Sequence, residues 1–344
     1  MKKGWLIVNG YLKSKKFDEI YAWLLKAAEE AGCELRLLEN DRLDSILPAD
    51  SSKVNWREKP DFVIFWDKDV KLARLLEAEG FRVFNSADAI EICDDKSLTF
   101  IKLKNTDIKM PKTYCAPMTF EKEYSDYTFV LQVEGSLGYP MIIKENKGSF
   151  GEQVYKVGDY YEAVEQIKKI GGCDFIMQEY IESSKGQDVR IHVVGNEIVT
   201  AMKRVNKDDF RANITNGGSM EKYQPTEEQQ EMALKVCDKL GLDFAGVDIM
   251  FGKNGEPVLC EVNSNAHFKN IYDCTGVNVA EKIIDYIYYC LIALTHDIQS
   301  KASGTTFKEI SGTKFGEILI PLPPLNEQDK IVNKIEELIY NLNF

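Results

Sequence analysis

The sequence predicts an α/β and α+β protein, led by a small doubly wound α/β domain and closed by a helical tail. Three features carry that expectation. Over roughly residues 1–90, short apolar runs alternate with runs of helical period, as parallel strands joined by helices require. From about Met110 onward, strand-like runs come in pairs separated by glycine-containing turns. Near the end, Pro321, Pro323 and Pro324 precede a run whose apolar residues recur at helical spacing.

Trp5–Val8 reads as a strand, and Phe17, Ile20, Tyr21, Leu24, Leu25 and Ala28 follow at helical spacing until Gly32 ends the helix. Cys33–Leu38 and Asp61–Trp66 are strand-like, Val70 to Leu76 is a helix closed by Gly80, and Phe81–Phe84 is a further strand. Gly10 stands alone after the first strand, so a dinucleotide fingerprint is absent, and this domain is expected to help form a substrate cleft. Ser86–Thr106 reads as one long helix containing Asp94, Asp95 and Lys96. Thr226–Leu240 is a helix with an acidic first turn, ended by Gly241, and Val277–Leu294 is another.

A formal charge of −12 argues against a protein that coats nucleic acid, and any anion site must be a local basic pocket. The eight cysteines form no CxxC pair, and the apolar run in MKKGWLIVNGYLKSKK is too short for a signal-peptide core, so a reduced, cytoplasmic protein is expected. Val277–Leu294 contains Asn278, Glu281, Lys282 and Asp285, which marks it as a packed helix and not a membrane span.

The densest chemistry lies in Phe244–Phe268, FAGVDIMFGKNGEPVLCEVNSNAHF. Two apolar, β-branched runs flank Asn254-Gly255, the dipeptide best suited to a type I′ turn. With that pair as a two-residue turn, antiparallel register sets Asp248 opposite Glu261, and alternation puts Asn263 on the face of Glu261. Opposed side chains have Cβ atoms roughly 4.5–5.5 Å apart, so two carboxylates there repel unless a cation lies between them. Three oxygen ligands that leave room for water and phosphate oxygens suit Mg²⁺ or Mn²⁺. A lone Asp/Glu pair can also be a solvated feature of an exposed face, but apolar residues flank this one on both strands.

Tyr139–Lys144 is a strand ending in lysine, followed by ENKGSFGEQV. Gly148, Ser149 and Gly151 can turn backbone N–H groups over phosphate oxygens while Lys144 supplies point charge; alone, such a loop is an ordinary hairpin turn. The exit of the strand Phe175–Ile181 offers a place for adenine, and Asp188–Val194 with Glu197–Met202 brackets Gly195-Asn196 as a second hairpin. Lys203, Arg204, Arg211 and Asn213 form a cationic cluster that could equally be a solvated loop.

Taken in order, Lys144 with its glycine loop, QEYI, DVR, RAN and VDIM…CEVNSN resemble the ATP-grasp ligases, and among them the RimK-like glutamate and amino-acid ligases, over about residues 1–296. The resemblance implies a three-domain ATP-grasp fold: an N-terminal domain over 1–90, a central subdomain over 91–180 and a C-terminal subdomain over 181–296. It implies that Lys96 and Lys144 contact the phosphates of ATP under the Gly148, Ser149 and Gly151 loop. Gln178, Glu179, Tyr180 and Ile181 would face adenine, and Asp188 the ribose. Arg211 and Asn213 would act near the transferred phosphoryl group, Arg190 and Arg204 would hold substrate carboxylates, and Asp248, Glu261 and Asn263 would bind magnesium.

The chain departs from that branch at Ala212, where serine is usual, and over Ser264–His267, so the amino-acid substrate is left open, as is a role for His267 in substrate contact or in packing. The implied activity is amide or peptide bond formation through an acyl phosphate, with an amino acid, peptide or protein terminus as acceptor. The alternatives are a D-alanine–D-alanine-type ligase, and a degenerate nucleotide-binding module that presents its C-terminal helix to a partner.

The tail, residues 297–344, resembles the C-terminal end of type I restriction specificity subunits, through IPLPPLNEQ before a helix. Ile331, Ile335, Leu338 and Leu342 make one apolar stripe, expected to dock on the body or to mediate self-association. Without the DNA-reading domains of that family, the tail is not expected to bind DNA.

Overall fold

The computed structural model describes residues 2–43, 54, 56, 58–148, 151–214 and 217–301, with side chains to residue 293 in the last helix. Ser149 and residues 302–344, which hold most of the expected tail, lie outside the described residues.

The first sheet takes β1 (Lys3–Val8), α1 (Lys15–Glu30), β2 (Glu34–Glu39), β3 (Phe62–Trp66), α2 (Val70–Ala78) and β4 (Val83–Phe84) into a parallel sheet of order β2-β1-β3-β4. Its central strands β1 and β3 are almost fully buried, as the apolar runs WLIV and FVIFW require of strands covered on both faces.

The expected long helix from Ser86 to Thr106 is two helices, α3 (Ala87–Asp94) and α4 (Lys96–Leu103). Asp95 adopts an extended backbone, and its carboxylate accepts from Ser97 N and Leu98 N, capping α4. A short acidic side chain competing for free N–H groups thus ends one helix and starts the next. The break sets Lys96 at the first position of a new helix.

The second sheet, order β5-β8-β6-β7, is antiparallel and built from β5 (Thr113–Cys115), α5 (Thr128–Leu137), β6 (Met141–Glu145), β7 (Val154–Val157), α6 (Tyr160–Ile170) and β8 (Phe175–Glu179). The glycine-rich loop joins β6 to β7. The third sheet, order β11-β10-β9-β12-β13, comprises β9 (Gln187–Val194), β10 (Glu197–Val205), β11 (Ser219–Lys222), β12 (Phe244–Phe251) and β13 (Pro257–Asn263), with α7 (Glu227–Leu240) between β11 and β12. Cys93, Leu103 and Ile108 pack with α7 in the core beneath this sheet. Two helices follow, α8 (Lys269–Thr275) and α9 (Val279–Lys301). The described chain divides into a compact unit ending at Ile284 and a second unit beginning at Asp285.

The β12–β13 turn departs from the two-residue expectation. Gly252 N donates to Glu256 O at 2.7 Å and Gly255 N to Gly252 O at 2.9 Å, which closes a three-residue loop, Lys253-Asn254-Gly255, with Gly255 at φ +87°. That loop shifts the register by one, pairing Ile249 with Leu259, and a bulge at Cys260 shifts it back, so Asp248 does pair with Glu261. Two compensating irregularities deliver the juxtaposition that an ideal hairpin would also give.

Asn85 joins the first sheet to this hairpin. Its Oδ1 accepts from Asp243 N (2.6 Å) and Phe244 N (3.1 Å), and its Nδ2 donates to Phe244 O (2.9 Å) and Ser264 O (3.0 Å), all within the core. Asn85→Ala leaves those backbone groups buried without partners and is expected to lower unfolding free energy by about 2–4 kcal/mol, read as a fall in the urea midpoint.

Candidate functional site

One face of the third sheet carries a row of charges set by strand register. Alternation on β9 places Asp188, Arg190 and His192 on that face; Arg204 of β10 pairs with Asp188, Asp248 of β12 with Arg190, and Glu261 of β13 with Asp248. Arg204 Nε and Nη2 donate to Asp188 Oδ1 and Oδ2 at 2.7 and 2.6 Å, and Nη2 also reaches Asp248 Oδ2 at 2.8 Å. Arg190 grips Asp248 with Nε to Oδ1 at 2.7 Å and Nη2 to Oδ2 at 2.6 Å, and lies 3.9 Å from Glu261 Oε1. Burial alone would raise the Asp248 carboxyl, but Arg190 and Arg204 outweigh it and hold the group well below the ordinary carboxylate range. Burial likewise works against the Arg204 charge, and Asp188 and Asp248 more than offset it.

Glu261 is the carboxylate left over, 30% exposed, with one oxygen accepting from Asn263 Nδ2 at 3.2 Å. Among the described residues no three His, Cys, Asp or Glu side chains converge as a metal cage. The hard donors here, Glu261 and the Asn263 amide oxygen beside Asp248, fit a magnesium-type ion that completes its shell with phosphate and water oxygens.

The second sheet supplies the opposing wall. Lys144 is buried at the end of β6, Gln178 is buried on β8 with Nε2 donating to Thr113 Oγ1 at 2.8 Å, and the Lys96 ammonium donates to Asn146 O at 3.3 Å. Burial, reinforced by Lys144 and Lys68, depresses the Lys96 ammonium, with Glu261 opposing, so this wall is a set of cations suited to an anion. A cleft with about 750 Å³ of empty space, its open mouth included, gathers Lys144, Gly151, Gln178, Glu179, Tyr180, Ile181, Asp188, Arg204, Arg211, Asn213, Asp248 and Glu261. An adjoining recess gathers Lys96, Gly148, Glu261 and Asn263 with Lys68 and Asp94. Arg190 lines neither and reaches both through Asp248 and Glu261.

Arg211 ties the walls together. Its Nη1 donates to Gly151 O at 2.7 Å, while Nε and Nη2 bind the Asp209 carboxylate at 3.1 and 2.7 Å. Gly151 sits at φ +74°, where a Cβ would also stand 2.8 Å from Asn213 Oδ1, so the position requires glycine. Asp209 went unrecognised in the sequence, although its place two residues before Arg211 is the signal for an orienting partner. Ile142, Val154 and Met250 supply apolar walls to the cleft, and as apolar strand residues they carry no signal of that role in the sequence. Lys156 stands 3.9 Å over the Tyr180 ring, and nothing in the strand pattern marked it.

The segment after Asn263 is fixed by packing. Asn265 Nδ2 donates to Asp67 O at 2.8 Å, and Asn9 and Asn40 donate to the buried Asp67 carboxylate at the ends of β1, β2 and β3. His267 Nε2 lies 3.1 Å from Lys16 O, and its ring stands edge-on to Phe17 at 5.4 Å. A carbonyl can only accept, so Nε2 carries the proton, while the buried Nδ1 has no hydrogen-bond partner.

Two walls of mixed α/β structure closing on lysines, a glycine loop and a carboxylate–amide pair define the ATP-grasp class of fold. The chain matches the RimK-like ATP-grasp domain over residues 93–287, more than half its length, and belongs to that family. A probable alpha-L-glutamate ligase of Legionella pneumophila (strain Corby) is 31% identical over 304 residues, spanning 83% of this chain and 95% of the relative. Among solved structures, the ATP-grasp ligase PsnB, complexed with a minimal precursor, Mg and ADP, aligns with a TM-score of 0.62 at 15% identity over 84% of this chain and 98% of that one. D-alanine–D-alanine ligase from Bacillus anthracis aligns with a TM-score of 0.63 at 17% identity, over 86% of this chain and 99% of that one. No described helix is long and apolar enough to cross a membrane.

Burial pushes the His192 imidazole down to about 3 and that of His267 to about 4, against 6.5 for a free histidine. As pH falls below 6.5 the unfolded chain takes up protons that the folded chain refuses, so these sites weaken the fold between about pH 6.5 and 4. Urea midpoints of the wild type are expected to fall more steeply across that window than those of a His192→Asn/His267→Asn variant.

Proposed function

We propose that the chain is an ATP-dependent carboxylate–amine ligase that forms an amide through an acyl phosphate, joining an amino acid to an amino-acid, peptide or protein acceptor. The observation that carries the reading is the way Glu261 lines both the cleft, with the buried Lys144, and the adjoining recess, with the half-buried Lys96 and the Asn263 amide. The three domains 1–90, 91–180 and 181–296, with the tail 297–344, form part of the same proposal.

In this reading Lys96 and Lys144 hold the phosphates, the loop of Gly148 to Gly151 covers them, and Gln178 to Ile181 face the adenine, with Asp188 on the ribose side. Asp248, Glu261 and Asn263 would hold a magnesium ion, which would supply Lewis-acid neutralisation of charge building on the leaving phosphate oxygens. A substrate carboxylate attacks the γ-phosphorus, ADP leaves, and an amine then attacks the acyl phosphate carbonyl and expels phosphate. Arg211 and Asn213 stand against the loop where the phosphoryl group transfers, and Arg190 serves the substrate carboxylate. Arg204, saturated by Asp188 and Asp248, acts by holding that row in place. Such a reaction needs positioning and charge neutralisation and no side-chain nucleophile. Water is the competing acceptor, and in this reading Arg211, through Gly151, anchors the loop that excludes it.

The Legionella relative and the Bacillus neighbour, named for glutamate and D-alanine ligation, define the arms of the test: ATP-dependent phosphate release across amino acids of both configurations, dipeptides and peptides, with mass spectrometry of the product. Phosphate release without an amide product in every arm would exclude the ligase reading. Glu261→Gln is expected to lower turnover at least about 100-fold with an unchanged circular dichroism spectrum; near-wild-type turnover would remove Glu261 from the metal set.

A further inference from the structure

Asp248 is assigned to the metal, yet both of its oxygens accept from arginine. Arg190 forks across Oδ1 and Oδ2 at 2.7 and 2.6 Å, and the same Nη2 lies 3.9 Å from Glu261 Oε1. One guanidinium therefore occupies the space between the two carboxylates that register sets side by side. A planar fork on both oxygens covers the edge a cation bridging Asp248 and Glu261 would use.

Arg204 is the wrong group to give way. It is 4% exposed and holds Asp188 through a second bidentate pair, so moving it would strand two buried carboxylates. Arg190 is 14% exposed, and its departure leaves Asp248 still bonded to Arg204. Charge counting points the same way. Asp188, Asp248 and Glu261 face Arg190 and Arg204, which leaves one net negative charge. A dication added to that row makes it net positive, and withdrawal of Arg190 restores neutrality. Lys16 of α1 feels the Arg190 charge, so a guanidinium turning that way meets a cation unless an anion arrives with it.

We propose that Arg190 is a resident cation which the metal replaces at Asp248, and that the released guanidinium takes a carboxylate of the substrate, so one side chain couples metal loading to substrate binding. The proposal rests on the assignment of the metal to Asp248, Glu261 and Asn263.

The test titrates Mn²⁺ into the full chain without nucleotide, reading free Mn²⁺ by electron paramagnetic resonance, for wild type, Arg190→Gln and Arg190→Lys. Lysine keeps the charge and loses the fork. Replacement of the fork by the metal predicts that Arg190→Lys binds Mn²⁺ about tenfold more tightly than wild type, the worth of one charge-assisted hydrogen bond. Wild-type affinity in Arg190→Lys, with tightening in Arg190→Gln alone, would show a through-space charge effect and overturn the proposal. A second measurement uses the wild type only: Mn²⁺ is expected to speed phenylglyoxal labelling of Arg190 while Arg204 stays protected, and an unchanged Arg190 rate overturns displacement even where a variant fails to fold. Absence of Mn²⁺ binding in all three proteins, without nucleotide and again with ADP present, would instead remove the metal assignment itself, and the proposal with it.

Discussion

The buried row Arg204–Asp188 and Arg190–Asp248 is the constraint on which the site depends. Four charges lie at or below 14% side-chain exposure, each satisfied by a partner on the neighbouring strand. Removing one member of such a set strands a charge in a poor solvent, at roughly 3–5 kcal/mol. The strands β9, β10 and β12 must therefore keep their register, and that register delivers Glu261 and Asn263 to the cleft. The price of a fixed charge row is borne by a sheet whose other face is a continuous apolar core with α3, α4 and α7.

Connections from distant parts of the chain hold this sheet in its working context. Asn85, at the end of the first sheet, closes hydrogen bonds to both strands of the β12–β13 hairpin, and Asn265 reaches back to Asp67 beside Asn9 and Asn40. The carboxyl ends of β1, β2 and β3 thus abut the segment Ser264–His267. Parallel α/β sheets place ligands at such strand ends, where one of the two departures from the family pattern, Ser264–His267, lies. Arg211, by contrast, holds the end of the glycine loop through a single backbone carbonyl, that of Gly151.

Much of the fold was legible because its signals are local. Trp5–Val8 and Asp61–Trp66 are apolar runs of strand length, Gly32, Gly80 and Gly241 stop helices, and Thr226 with Gln229 forms a complete capping box at the start of α7. The helix break at Asp95 was missed because Asp94, Asp95 and Lys96 suit both the end of one helix and the start of another, and helical period runs through them. The hairpin turn was misread because Asn-Gly serves two-residue and three-residue loops alike; the bulge at Cys260 carries no residue signature. Asp248 opposite Glu261 nonetheless followed from spacing, since the two irregularities cancel.

By itself, the sequence determined which residues could do chemistry: the lysines, the glycine loop, the carboxylates and their order along the chain, since residue type and spacing are what ligand chemistry demands. Only the tertiary structure decided how those groups are shared. Facing carboxylates call for a cation, and spacing alone suggested a metal. The third strand, β9, lies more than fifty residues upstream of β12 and inserts beside it, bringing Arg190 to the position where that cation is needed. Pairing across such a separation depends on global register and packing, which no local pattern encodes.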